Sequence, residues 1–233
     1  PLPSNHASAP DSAARDPTNQ YPPHKTAKTP VTHSNARIMA PSHFRPAFLH
    51  HRQRKGLGMP DDMWVFGYGS LIWNPEFPVA EQAIARAQGW HRSFCMWSIH
   101  HRGTEAQPGL VLALDADPLA HCDGVAFRVA PGKEANTLKT LGERELISSA
   151  YLERWLPVTL QDGRQVTALA FVIDPDHVQY CHLTLDEQAQ IIARATGGRG
   201  PNRDYLHATA RHLADLGIAD PDLEWLSAQV PSL

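Results

Sequence analysis

The sequence predicts an α+β fold for residues 61–230, from three observations. Apolar runs of strand length come first, two of them are joined by a hairpin signal, and the helical patterns gather toward the C-terminus. Trp64, Val65 and Phe66 open the series, so that 63–67 reads as a strand entering a core. Residues 92–99, 109–115 and 123–130 follow as further strands, rich in apolar and aromatic side chains. The pair 155–161 and 165–173 flanks Asp162-Gly163, which tolerates the left-handed backbone of a tight hairpin. A first helix is predicted from about Gly132 to Ser148, where apolar residues recur at helical spacing. A second starts at Thr184, whose hydroxyl forms a capping box with Glu187, and continues to Thr196. A third takes Asn202 as its cap and runs to Leu216, stopped by Gly217. Sequential strands linked by hairpins, then helices, indicate α+β rather than a doubly wound parallel sheet.

Residues 1–60 differ from the rest. Ten of the twenty prolines fall there among many His, Ser, Ala and Thr residues, with no periodic apolar pattern. Such a segment buries too little surface to offset its ordering entropy and is expected to be a disordered tail. The formal charge of −3 supplies no basic surface for nucleic acid or anionic membrane, and no apolar run approaches a membrane span. Cys95, Cys122 and Cys181 are odd in number and widely spaced, which argues against a disulfide framework and for a reducing, cytoplasmic setting. A monomer acting on a small molecule is the expectation.

Two stretches offer chemistry. In "WVFGYGSLIW" (64–73) the apolar strand is interrupted by Gly67, Tyr68, Gly69 and Ser70. Ile72 stands where a dinucleotide fingerprint has its third glycine, and the Lys-Ser/Thr of a phosphate loop is missing. Small residues let successive backbone N–H groups approach an anion such as a carboxylate; the same loop also reads as a β-bulge or tight bend without a ligand. In "GKEANTLKTLGERELISS" (132–149), Leu138, Leu141 and Glu145 share one helix face, while Glu143 points nearly opposite. A carboxylate on an apolar face needs a partner or a purpose. Desolvation would raise its pKa and suit a general base that later acts as an acid; the alternative is a salt bridge with Arg144 or Arg154. Five histidines (His91, His100, His101, His121, His182) and the cysteines show no metal-ligand spacing, so no metal is expected. Ser70 lacks the Gly-x-Ser-x-Gly setting of a nucleophile.

Five blocks in order, "VFGYGSLIWNP" (65–75), "GWHRSFCMWS" (89–98), "HRGTEAQPGLVLAL" (101–114), "ERELISSAYLERWLPV" (143–158) and "GPNRDYLHATARHLADLGI" (200–218), resemble the ChaC-type γ-glutamylcyclotransferases, closest to the bacterial branch. The resemblance covers roughly residues 62–226. It implies a compact mixed β-barrel-like core flanked by helices, no cofactor, and cleavage of glutathione to 5-oxoproline and cysteinylglycine. Glu145 matches the family's catalytic glutamate. The resemblance places the γ-glutamyl head group on Val65, Phe66, Gly67, Tyr68, Gly69, Ser70 and Leu71, the last four offering backbone N–H groups, with Tyr205 facing the same pocket. Arg92 and Arg102 are read as counter-charges for the glycine-end carboxylate. Two departures stand out: many relatives have Asp-His-Arg-Gly where this chain has His100-His101-Arg102-Gly103, and Gly-Gly-Tyr where Leu146-Ile147-Ser148 stand. Both bear on the substrate pocket. The same cyclisation on another γ-glutamyl amine, or a non-catalytic binding module, are the alternative functions.

Overall fold

The computed structural model describes residues 62–146 and 149–232. The expected tail, residues 1–60, lies outside them, as do residues 147 and 148 of the first predicted helix. The strands are β1 (Trp64–Gly67), β2 (Val79–Ser98), β3 (Gly109–Val129), β4 (Tyr151–Leu160), β5 (Gln165–Ile173) and the two-residue β6 (Thr196–Gly197) and β7 (Gly200–Pro201). The helices are α1 (Glu134–Glu145), α2 (Leu185–Ile192), α3 (Asn202–Asp215) and α4 (Pro221–Gln229). Strands β1 to β5 close into a barrel in the order β1-β3-β2-β4-β5. β5 returns to β1 in parallel, Trp64 opposite Ala168 and Val65 opposite Leu169. The fold is α+β, with a barrel-like core and flanking helices.

β1 reads as an unbroken apolar run because both of its faces are buried. Trp64 and Phe66 pack with Leu114, Val158 and Ala170, whereas Val65 alternates to the other face beside Phe127, Leu169 and Phe171. Helix α1 covers that second face with Leu141, fully buried, and Leu138. Packing through these leucines fixes the helix roll and so the direction of Glu145, one turn beyond Leu141.

β2 and β3 are far longer than predicted, at 20 and 21 residues. Pattern reading found only their apolar ends, since residues 79–88 alternate with exposed side chains and residues 115–122 carry Asp115, Asp117, Pro118 and an exposed Leu119. Three register shifts bend this ribbon, the middle one around Gly89 at φ 83°. One hairpin thereby serves two regions of the barrel: residues 125–128 of β3 pair with β1, and Leu114 meets Val172 of β5. Asp162-Gly163 joins β4 to β5, with Gly163 at φ 89°.

The Thr184–Glu187 capping box is present, but α2 ends at Ile192 because Thr196 and Gly197 pair with Pro201 and Gly200 instead. Asn202 is not the cap of α3. Pro201 occupies that position, and the Asn202 amide is fully buried against β3. Its Oδ1 accepts from Leu110 N–H at 2.6 Å and its Nδ2 donates to Leu110 C=O at 2.8 Å. Asn202→Ala strands both backbone groups, so a loss on the order of 3 kcal/mol is expected, read as a lower urea midpoint at unchanged slope. Helix α4 escaped prediction although its start is written in Asp220-Pro221: Asp220 Oδ1 accepts from Leu223 N–H at 3.0 Å, and proline sits at the first helical position.

Candidate active site

β1 ends at Gly67, and the chain turns through Tyr68 and Gly69 into a single 3₁₀ turn, Ser70–Ile72, closed by Ile72 N–H on Gly69 C=O at 2.9 Å. The two glycines have different reasons. A Cβ on Gly67 would lie 3.0 Å from the Phe127 ring and 3.1 Å from Leu71, so that position is small for packing. A Cβ on Gly69 would meet only the Tyr205 hydroxyl, at 3.2 Å. Gly69 therefore opens the chain toward Tyr205 of α3, not toward the core.

Glu145, at the last position of α1, comes to this loop through its neighbour. The Arg144 guanidinium donates from Nη2 to Ser70 Oγ at 2.8 Å and from Nη1 to Asn74 C=O at 2.7 Å. Its Nε lies 3.0 Å from Glu145 Oε1, and Nη1 lies 3.1 Å from Glu76. Glu76 holds φ 59°, a conformation fixed by this arginine and by Asn74 Nδ2. One planar cation thus locks the loop to the carboxylate. Glu145 keeps 18% of its side-chain exposure, whereas Glu143 keeps 69% and faces solvent. Burial pushes the Glu145 carboxyl above its ordinary pKa, with Arg144 and Arg199 opposing that shift and Glu76 adding to it. The structure has both the salt bridge and the desolvated carboxylate, and the effect of burial is the larger.

Three tyrosines lie within electrostatic reach of this carboxylate. Tyr68 donates its hydroxyl to Phe171 C=O at 2.6 Å, and Tyr151 to Leu112 C=O at 2.8 Å. Burial raises both pKa values well above the usual tyrosine range, so these hydroxyls stay protonated. Tyr205 is nearly buried, packs edge-on against Phe94 at 5.9 Å between ring centroids, and is pushed up to about 12 by burial and by Glu145. Arg102, from the β2–β3 loop, lies over the Tyr205 ring with Cζ 5.2 Å from the centroid.

Of the residues predicted from sequence, Glu145, Gly69, Ser70 and Tyr205 come together, and Tyr68 adjoins them. Val65 and Phe66 are fully buried strand residues, paired with Phe127 and Ala126, and support the loop from within the barrel. Leu71 packs into the core beside Gly67. Arg92 is not a free counter-charge: it is buried and spends its donors on Tyr68 C=O, Asp123 C=O and the Asp220 carboxylate. Arg144, Tyr151 and Arg199 join the site without a sequence motif of their own. The adjacent Arg-Glu pair was visible, but the loop that Arg144 would grasp, 70 residues earlier, was not. Two open clefts, of about 220 and 200 Å³, lie elsewhere. The first is lined by Trp64, Trp155 and Gln165, the second by Arg92 and its partners, and neither places a desolvated base beside an open loop. Among the described residues, no group of three or more His, Cys, Asp or Glu is arranged to hold a metal ion.

The ChaC-like protein family matches this chain over residues 63–233, spanning the barrel, the loop and helices α1 to α4. The chain belongs to the ChaC family. It is 39% identical over 180 residues to the glutathione-specific γ-glutamylcyclotransferase of Escherichia coli strain K12, covering 75% of this chain and 76% of that protein. It is 32% identical over 188 residues to the protein of the same name in Schizosaccharomyces pombe, covering 72% and 91%. A crystal structure of a yeast γ-glutamyl cyclotransferase specific to glutathione superposes with a TM-score of 0.66 at 25% identity, over 73% of this chain and 96% of that one. In this ChaC protein His100–Gly103 belong to the loop that sets Arg102 over Tyr205.

Proposed function

We propose that this ChaC-family chain is a glutathione-specific γ-glutamylcyclotransferase, releasing 5-oxoproline and cysteinylglycine, with residues 61–230 as its catalytic domain. The observation that supports it best is the Glu145 carboxylate, desolvated yet tied through one arginine to the small-residue loop whose Gly69 faces the Tyr205 hydroxyl. The loop N–H groups ahead of Ile72 precede the first bond of the 3₁₀ turn and are the donors for the glutamyl α-carboxylate. Glu145 removes a proton from the substrate's α-ammonium, and the freed amine attacks its own γ-carbonyl carbon. The new C–N bond closes a five-membered lactam while the bond to the cysteinyl nitrogen breaks. Glu145 then returns its proton to that nitrogen. An internal nucleophile needs only to be folded into place, and effective molarities on the order of 10⁵ M or more are available to such a step. The Tyr205 hydroxyl, held protonated beside Gly69, is a donor for the developing oxyanion.

The test is direct. Pure protein incubated with glutathione releases 5-oxoproline, and γ-glutamyl-alanine gives far less; equal release from both points to a broader γ-glutamyl substrate range. Because the base works ionised and its pKa is raised by burial, kcat/KM rises with pH through a midpoint above the ordinary glutamate value of 4.5. A midpoint at or below that value overturns Glu145 as the base. Cys95, Cys122 and Cys181 are buried thiols, in keeping with the reducing, cytoplasmic setting read from sequence. Among the described residues no helix is long and apolar enough to cross a membrane.

A further inference from the structure

The β6–β7 hairpin and the β2–β3 loop are locked together beside the active site. Gly198 N–H donates to His100 C=O at 2.8 Å, and Arg199 N–H to His101 C=O at 2.9 Å. A Cβ on Gly197 would fall 2.5 Å from Gly103 N, so the two backbones touch with no room for a side chain. From the other side, Arg102 Nη1 donates to Arg199 C=O at 2.6 Å and to Pro201 C=O at 3.3 Å. This junction carries two guanidinium groups. Arg102 is half-buried on the Tyr205 ring, with Nε and Nη2 making no bond to a described residue. Arg199 is exposed and has no ion-pair partner among the described residues. Its backbone carbonyl adjoins the Arg102 guanidinium, and its charge is within electrostatic reach of Arg102, His101 and Glu145. Asp204 is the acidic group in electrostatic reach of Arg102, without forming an ion pair to it. Two like charges held side by side repel, unless an anion arrives between them.

We propose that Arg102 and Arg199 form the subsite for a terminal carboxylate lying beyond the scissile bond, and restrict turnover to γ-glutamyl peptides that carry one. The proposal rests on the cyclotransferase reading and extends it to the far end of the substrate. The Tyr205 ring spans the distance: its hydroxyl abuts Gly69, where the glutamyl head sits, and its face supports Arg102. Two further residues of extended peptide put a terminal carboxylate roughly 7 Å past the reacting carbonyl, on the order of that span. A guanidinium meets a carboxylate with paired, charge-assisted hydrogen bonds, which a neutral ester or amide cannot return. Arg199, exposed in the free protein, gains its partner only when such a substrate is bound.

The experiment compares kcat/KM on glutathione and on its glycine-carboxyl monoethyl ester, for the native protein and for Arg199→Gln. Arg199 holds no side-chain bond in the fold, so the variant removes charge without loosening the hairpin. The native protein is expected to favour the free acid by roughly 10- to 100-fold. In Arg199→Gln that preference shrinks severalfold, because KM rises more for glutathione than for the ester. Arg102→Lys, which keeps charge but loses the planar fork, also shrinks it. Equal turnover of acid and ester by the native protein overturns the proposal, as does an Arg199→Gln loss of the same size on both substrates. Either result leaves the cyclotransferase reading intact. Release of 5-oxoproline from neither substrate removes that reading, and the subsite with it.

Discussion

Glu145→Gln is expected to lower turnover of glutathione by roughly 10²–10⁴-fold, the range that a positioned general base supplies. The amide keeps an oxygen for Arg144 Nε and fills the same volume, so the loop should stay tied and KM should change little. What is lost is the site that receives the proton from the α-ammonium. The fold is not expected to suffer. A carboxyl whose pKa is raised on folding favours the native state below its unfolded pKa, and that contribution is lost as pH rises through the raised value. Near neutrality the native protein therefore bears a desolvation cost that glutamine does not, and the variant should melt no lower. Glu145→Asp separates charge from position. It retains a carboxylate but withdraws it by one methylene, and a displacement of about 1 Å is enough to cost on the order of 10²-fold. Near-native release of 5-oxoproline by Glu145→Gln would show that another group moves the proton.

The elements whose residues agree locally were legible in the sequence. Asp162-Gly163 fixed a hairpin, Thr184 and Glu187 fixed a helix start, and Leu138, Leu141 and Glu145 fixed which face of α1 meets the barrel. What escaped depends on partners distant in the chain. Asn202 has the residue type of a helix cap, yet the polar groups of Leu110, buried 92 positions away, claim its amide first. Residues 79–88 alternate as a strand should, but their exposed polar face hides them until β3 is known to run beside them. The site divides in the same way. The desolvated glutamate could be found from helical spacing, because its apolar companions lie within two turns. Its tether could not, since the hydroxyl that Arg144 holds belongs to Ser70.

Arg92 shows how far residue type alone can mislead, and removing it is expected to have the largest effect on stability. In sequence it is an arginine beside substrate-binding blocks, and the natural reading makes it a ligand for a carboxylate. In the fold it is 3% exposed and fully occupied. Nε donates to Tyr68 C=O at 2.7 Å, Nη1 reaches Asp220 Oδ2 at 2.5 Å, and Nη2 donates to Asp123 C=O. It therefore clamps the backbone of the glycine loop from behind, to β3 on one side and to the cap of α4 on the other. Arg92→Met keeps much of the volume but leaves two carbonyls without a donor and Asp220, 14% exposed, without its cation. Breaking such a pair from one side is expected to cost about 3–5 kcal/mol, a large share of the stability of an ordinary domain. Urea unfolding should show it as a clearly lower midpoint. Asp220→Asn has one oxygen where Leu223 N–H and Arg92 Nη1 each need their own, so keeping the α4 cap turns its NH2 toward the guanidinium, and it too should lower the midpoint. The two accounts of Arg92 differ in what they move. A clamp lowers the unfolding midpoint and loosens the loop for every γ-glutamyl substrate, free acid or ester alike. A carboxylate ligand would leave the midpoint where it is and raise KM for glutathione alone, and that outcome would return Arg92 to the substrate.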